Sequence, residues 1–412
     1  MNARKLSLTV LCALLLSCGE ERITPADDNT PNLRPLTAQE VQLVESGNKF
    51  ALDLTKRINA GEPGSFFISP LSVGYALGMT FNGAAGETKA GIKSALDFGD
   101  MPDDEVNKSF KNLTDQLTGM DKTMAMEIAN SIWYKNTLTV KQAFAQTVKN
   151  YYDAGIRGLD FGDPASKDII NGWIEEKTHD KIKDMLDGIP DDAVMYLVNA
   201  IYFKADWTYQ FDKKATKKEP FKLENGEETM ADMMFSKGTK LSVFQTSKFL
   251  YIEIPYGNRQ FTMTILLPND GYRVDEVMEE LTPQLLKDCS DQADSMTLEL
   301  KFPKFKLEYK KTLNDYLSAM GMGRAFTGSA EFPNLFEEAL NVLISRVLHQ
   351  SFIEVNEEGL EAAAATIVEI IIETAYPPQP PKIVVNKPFV FLIQEKHTNT
   401  ILFAGKLMNP AL

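Results

Sequence analysis

The chain has 412 residues, 44% hydrophobic and 24% charged, the balance of a globular protein that buries a sizeable core. Its 57 acidic and 43 basic side chains leave a net charge of −14, which argues against non-specific binding to nucleic acid, because that needs a basic surface to displace counterions from phosphates. No internal repeat, low-complexity stretch or proline-rich linker interrupts residues 40–355, so one large domain over 37–412 is the simplest organisation.

In chain order, Arg4 and Lys5 precede the apolar stretch Leu8–Leu16, which is too short to span a bilayer, and residues 1–17 read as a signal peptide. Leu15-Leu16-Ser17-Cys18 resembles a bacterial lipoprotein cleavage box, which implies that Cys18 becomes the lipidated first residue of the mature chain. The alternative is an ordinary signal peptide with an incidental cysteine. Gly19-Glu20-Glu21 resembles the acidic tag that sends some bacterial lipoproteins to the outer surface. Residues 18–36, polar and carrying Pro25, Pro31 and Pro35, then form a flexible tether of up to about 60 Å. The expected location is the outer-membrane surface or the exterior, with a lipid anchor as the membrane contact and a monomeric domain beyond it. Removal of Cys12 and lipidation of Cys18 leave Cys289 without a disulfide partner, and no metal-ligand or catalytic spacing surrounds it. Neither a metal nor a cofactor is expected.

Several segments of the domain stand out next. They are Phe67-Ile68-Ser69-Pro70-Leu71-Ser72 with Ala84-Ala85-Gly86-Glu87-Thr88, Asn171-Gly172-Trp173-Ile174-Glu175 with Lys181-Ile182, and Leu197-Val198-Asn199-Ala200-Ile201-Tyr202-Phe203-Lys204-Ala205-Asp206-Trp207. Phe302-Pro303-Lys304-Phe305 and Val347-Leu348-His349-Gln350-Ser351-Phe352 follow. Enzymatic readings find little footing. A catalytic triad would have to draw on His179, His349 or His397, and the charged neighbours of His179 and the turn residues around His397 suggest solvated side chains. Nucleophile elbow, phosphate-binding loop, dinucleotide fingerprint and paired-cysteine motifs are all missing from the sequence.

The most informative stretch comes last. An acidic segment, Glu354-Val355-Asn356-Glu357-Glu358-Gly359, leads into Leu360-Glu361-Ala362-Ala363-Ala364-Ala365-Thr366 and then Ile367-Val368-Glu369-Ile370-Ile371-Ile372-Glu373-Thr374-Ala375-Tyr376, closed by Pro377-Pro378-Gln379-Pro380-Pro381. So apolar and β-branched a run is an aggregation hazard when exposed, and a soluble protein needs a reason to carry it. At period two, Leu360, Ala362, Ala364, Thr366, Val368, Ile370 and Ile372 share one face, and Glu361, Glu369 and Glu373 share the other. A core helix also gathers the glutamates, but it places Ile372 among them and its β-branched run is a poor helix former.

After that run come Asn386-Lys387-Pro388-Phe389-Val390-Phe391, then Ile401-Leu402-Phe403-Ala404-Gly405-Lys406 and Asn409-Pro410. The hinge, the alanine run and the separated upstream motifs, in this order over residues 37–412, closely resemble the serpin family of serine protease inhibitors. The resemblance implies an α+β fold with a large central, mostly antiparallel sheet, two smaller sheets, about nine helices and an exposed reactive loop. It implies no catalytic residue in this chain. Ser69, Ser72, Asn199 and His349 are expected in a buried polar cluster behind the main sheet, and Glu357 should pair with Lys304 near Trp207 at the top of that sheet.

By the same resemblance, residues 357–366 form the loop hinge and a target protease attacks a bond farther along. After cleavage, residues 359–372 enter the sheet as a new central strand and the acylated protease is trapped. The small, uncharged Ala362, Ala364 and Thr366 suit such insertion, whereas a charge or a proline would halt it. Leu360 departs from the smaller residue usual in the family. Counting from Glu357 gives Glu373–Thr374 as the scissile bond, and counting back from Asn386 lands near Pro377, because the loop is about four residues longer than the usual pattern. Ile372, Ala375 and Tyr376 therefore stay alternatives. The absence of lysine and arginine between Gly359 and Pro381 favours elastase-like or glutamate-selective serine proteases over trypsin-like ones, with cysteine proteases a further possibility. The competing readings are a non-inhibitory serpin acting as a binding or chaperone module and a hydrolase using Ser351 with His349.

Overall fold

The computed structural model describes residues 31, 33–360 and 380–411. The signal peptide, Cys18, and the expected hinge and reactive-bond residues Glu361, Ala362, Ala363, Ala364, Ala365, Thr366, Ile372, Glu373, Thr374, Ala375 and Tyr376 lie outside the described residues.

Helix α1 (Ala38–Gly61) starts at a capping box in which Thr37 and Glu40 each accept the other's backbone N–H. Strand β1 (Phe66–Ile68) leads into α2 (Pro70–Gly83), whose cap Ser69 accepts the Ser72 N–H and whose first residue is a proline preset for the helix. There follow α3 (Gly86–Ala95), α4 (Asp103–Gly119), β2 (Ala125–Lys135), α5 (Gln142–Tyr152), β3 (Gly155–Leu159), α6 (Ala165–Lys177) and β4 (Met195–Asp206). The middle of the chain supplies β5 (Lys217–Lys222), β6 (Glu228–Gln245), β7 (Phe249–Tyr256), β8 (Phe261–Pro268), α7 (Val274–Glu280), α8 (Pro283–Gln292), β9 (Asp294–Pro303), β10 (Phe305–Thr312) and α9 (Asn314–Leu317). The last strands are β11 (Leu348–Val355), β12 (Gly359–Leu360), β13 (Lys382–Val384), β14 (Phe389–Glu395) and β15 (Ile401–Leu407).

Two sheets hold these strands. One runs β10-β11-β12-β4-β2-β3 and is antiparallel except at its β2–β3 edge. The other has nine strands in the order β1-β15-β14-β8-β7-β6-β9-β13, with β5 also on β6. The two smaller sheets expected from the sequence are thus continuous, and β6 is the reason. Its 18 residues pair with β5 at one end and β7 at the other, bending at a register shift between Ser236 and Thr239 where Gly238 takes φ +73°. Nine α-helices are present among the described residues.

The core lies between the sheets. Phe67 stacks on Phe391 and Phe403 at 5.7 and 5.0 Å, and Phe203 and Phe305 of the six-stranded sheet reach Phe261 and Phe391. Strands β8, β14 and β15 are buried almost throughout, as their near-continuous apolar sequences require. Helix α6 covers the opposite face of the six-stranded sheet, packing Ile170 and Ile174 on Trp133 and Val198.

Candidate functional site

The acidic segment folds as a hairpin. Val355 at the end of β11 pairs with Leu360 of β12, so the chain reverses across Asn356, Glu357, Glu358 and Gly359. On its other side β12 pairs with β4, Gly359 opposite Asp206 and Leu360 opposite Ala205. Leu360 is buried between Val355 and Ala205. Gly359 takes φ +149°, and a Cβ there would lie 2.2 Å from the Ala205 carbonyl oxygen, so both its backbone angle and its surroundings demand glycine.

Side chains and backbone hold the reversal from several directions. The Asn356 Oδ1 accepts the N–H groups of Glu358 and Gly359 at 3.0 and 3.2 Å, and the Asn356 N–H donates to the Gly359 carbonyl. Trp207 donates its Nε1–H to the Asn356 carbonyl and its backbone N–H to the Glu358 carbonyl, and its ring lies flat on Tyr256 at 4.3 Å. The Glu357 carboxylate meets Lys304 Nζ at 2.8 Å and the Thr216 hydroxyl at 2.8 Å. Burial opposes its charge, yet these donors hold its pKa below the usual carboxylate range. Glu358 pairs with Lys213. Burial and then Glu358 raise the Asp206 carboxyl above its ordinary value.

Below Leu360, no described strand lies between β4 and β11. Among the described residues, β4 is hydrogen-bonded to β2 and β12, and β11 to β10 and β12; no pairing joins β4 directly to β11. A cavity of about 350 Å³ lies along that division, bounded by Met195 and Leu197 of β4, His349 of β11, Val347 just before it, Val73 of α2 and Leu335.

Of the four polar residues expected in a buried cluster behind the sheet, Ser69, Ser72 and His349 are buried and Asn199 is partly buried, and hydrogen bonds link them in a chain. His349 accepts the Ser69 N–H at 3.1 Å through Nε2. Ser69 Oγ donates to the Leu402 carbonyl and accepts from the Ser72 N–H, and Ser72 Oγ donates to the Asn199 carbonyl at 3.4 Å. The Asn199 side chain turns instead to Asn130, donating to its Oδ1 at 2.9 Å, and Asn130 donates in turn to the Tyr152 carbonyl. His349 is fully enclosed, and burial drives its pKa down to about 4. The imidazole is thus neutral and serves as a buried hydrogen-bond acceptor. Ser351 donates to the Phe67 carbonyl, so it has no hydrogen bond to His349 of the kind a nucleophile needs.

The other histidines differ from one another. His179 is half exposed, 3.0 Å from Glu127 and against the Tyr202 ring. His397 is not solvated as its turn sequence suggests: it is partly buried, with Nε2 2.7 Å from the Arg34 carbonyl, because the segment before α1 folds over the β14–β15 turn. Cys289 is buried in α8, and burial followed by Asp288 pushes its thiol up to about 11, so it stays protonated. Sequence reasoning missed Asn130, Lys213 and Thr216. Asn130 lies directly opposite Asn199 in the β2–β4 register, a pairing that no local sequence signal shows.

A family model described as Serpin (serine protease inhibitor) matches residues 45–410. A serpin-like protein of Methanosarcina acetivorans is 32% identical, the alignment covering 100% of this chain and 99% of that protein. Among solved structures, the thermophilic serpin Tengpin in its native state is 30% identical with a TM-score of 0.82, covering 92% of this chain and 97% of its own. Human thyroxine-binding globulin, solved in complex with its hormone, is 26% identical with a TM-score of 0.83, covering 90% of this chain and all of its own.

Proposed function

The chain belongs to the serpin family, a family of protease inhibitors, and from that premise we propose that it is a suicide inhibitor of serine proteases that traps its target by inserting its cleaved loop into the six-stranded sheet. The observation that carries this reading is the seated strand β12 above a division between β4 and β11 that no described residues pair across. A strand already begun on both edges, with nothing from the described residues zipping those edges together below it, is the geometry that loop insertion needs.

The chemistry is the protease's own. Its nucleophile attacks a loop carbonyl, the amide C–N bond breaks, and the new amine terminus departs with the downstream chain, leaving an acyl-enzyme. The freed upstream segment continues from Leu360. Each added ladder hydrogen bond contributes about 1 kcal/mol net, and each of Val368, Ile370 and Ile372 about 1.5–3 kcal/mol on burial, so the gross gain is of order 10 kcal/mol. A protease still tethered by its ester is carried away from the loop's start and its oxyanion hole is distorted, which stops deacylation.

Elastase-like or glutamate-selective proteases are the proposed targets, with Glu373–Thr374 the first choice of bond and Ile372, Ala375 and Tyr376 flanking it. We place the protein on the bacterial outer surface through a lipidated Cys18, acting as a monomer. The test is incubation with a panel of proteases. An SDS-resistant complex with an elastase-like enzyme, and a C-terminal peptide whose mass places the cut between Ile372 and Tyr376, is expected. Rapid stoichiometric capture of trypsin would overturn the specificity, and cleavage of every protease's bond without any stable complex would favour a non-inhibitory binding role.

A further inference from the structure

We propose that Asn356 is a positioning residue that fixes the register in which the loop enters the sheet; this rests on the inhibitory reading above. In a hairpin the turn sets the pairing of the strand that follows. Within the turn, the Asn356 Oδ1 is the side-chain acceptor for two successive N–H groups, those of Glu358 and Gly359, while the backbone N–H of Asn356 returns to the Gly359 carbonyl and its carbonyl accepts from the Trp207 indole. The result is a single alignment, Leu360 opposite both Val355 and Ala205.

Register matters here more than affinity, because the loop's two faces differ in charge. If insertion continues the Leu360 register, each even-numbered residue that follows would take the inward face, position 366 would come level with Asn199 of β4 and His349 of β11, and Glu361, Glu369 and Glu373 would take the outward face. A slip of one residue reverses every side chain and turns Glu361 toward the pocket between the buried Val355 and Ala205. A carboxylate unpaired in that apolar setting halts further insertion. Gly359 permits the reversal, but its missing side chain cannot choose among registers; Asn356 supplies the choice.

Two variants test this, Asn356→Ala, which removes the acceptor, and Asn356→Asp, which keeps an acceptor oxygen on the same-length side chain. Hydrogen–deuterium exchange of peptides spanning 356–360 in the uncleaved protein should be about tenfold faster in Asn356→Ala and close to wild type in Asn356→Asp. After the loop is nicked with subtilisin, the wild type and Asn356→Asp should convert fully to a heat-resistant form. Asn356→Ala should leave a large fraction melting like the intact protein, although its loop is cut at the wild-type rate. Full conversion of Asn356→Ala, or unchanged exchange at 356–360, overturns the register role and leaves the inhibitory reading standing. A wild type that gains no heat resistance on nicking overturns the inhibitory reading itself.

Discussion

His349 offers a sharp test of the buried polar chain, because a group held neutral by burial makes stability depend on pH in a known direction. In the folded protein its pKa is depressed to about 4, against an ordinary value of 6.5. Below pH 6.5 the unfolded chain takes up a proton that the folded chain refuses, so stability falls as pH falls from 6.5 to 4 and levels off beneath that. The two values put this loss at about 3 kcal/mol by pH 4. Carboxylates titrate in the same window, so the measurement is a difference between wild type and His349→Gln, whose amide oxygen can still accept the Ser69 N–H. Urea unfolding of both proteins should show the wild type losing about 3 kcal/mol more than the variant between neutral pH and about pH 4. Parallel pH profiles would refute the claim that this imidazole is enclosed and uncharged.

Three further outcomes follow from the same contacts. Lys304→Ala leaves the nearly buried Glu357 with Thr216 as its remaining side-chain donor, and should cost about 1–3 kcal/mol in chemical denaturation, with Glu357→Gln/Lys304→Ala together costing less than the sum of the single changes. Asn130→Ala removes the donor to the Tyr152 carbonyl and the acceptor for Asn199, and should lower stability by about 1–3 kcal/mol in a urea titration. On insertion in the Leu360 register, Thr366→Arg would bring a cation level with Asn199 and His349, so it should turn a trapping inhibitor into a plain substrate, seen as complete loop cleavage without an SDS-resistant complex.

Much of the site was legible in the sequence because its parts are local. The acidic segment ending in Gly359 follows from residues adjacent in the chain, whereas the period-two face expected to begin at Leu360 continues outside the described residues. The Glu357–Lys304 pair spans 53 residues and came through family resemblance, not through any local rule. Leu360, which departs from the smaller residue usual in the family, is already seated, in an apolar slot between Val355 and Ala205. What could not be read depends on the sheets coming together. Asn130 matters only because β2 lies beside β4, Lys213 and Thr216 only because the segment after Trp207 folds over the hinge, and the union of two small sheets only because β6 bends at Gly238 without ending.

The central claim is that the intact protein holds strain that its own loop can release. Thermal melting before and after a single proteolytic nick within residues 367–376 tests it most directly. Because the loop must also be ordered, the gross gain of order 10 kcal/mol sets an upper bound of roughly 10 °C on the rise in midpoint for a domain of this size, and a rise of several degrees is expected. A nicked protein that melts at the intact protein's temperature, with its upstream segment still open to further digestion, would contradict the account.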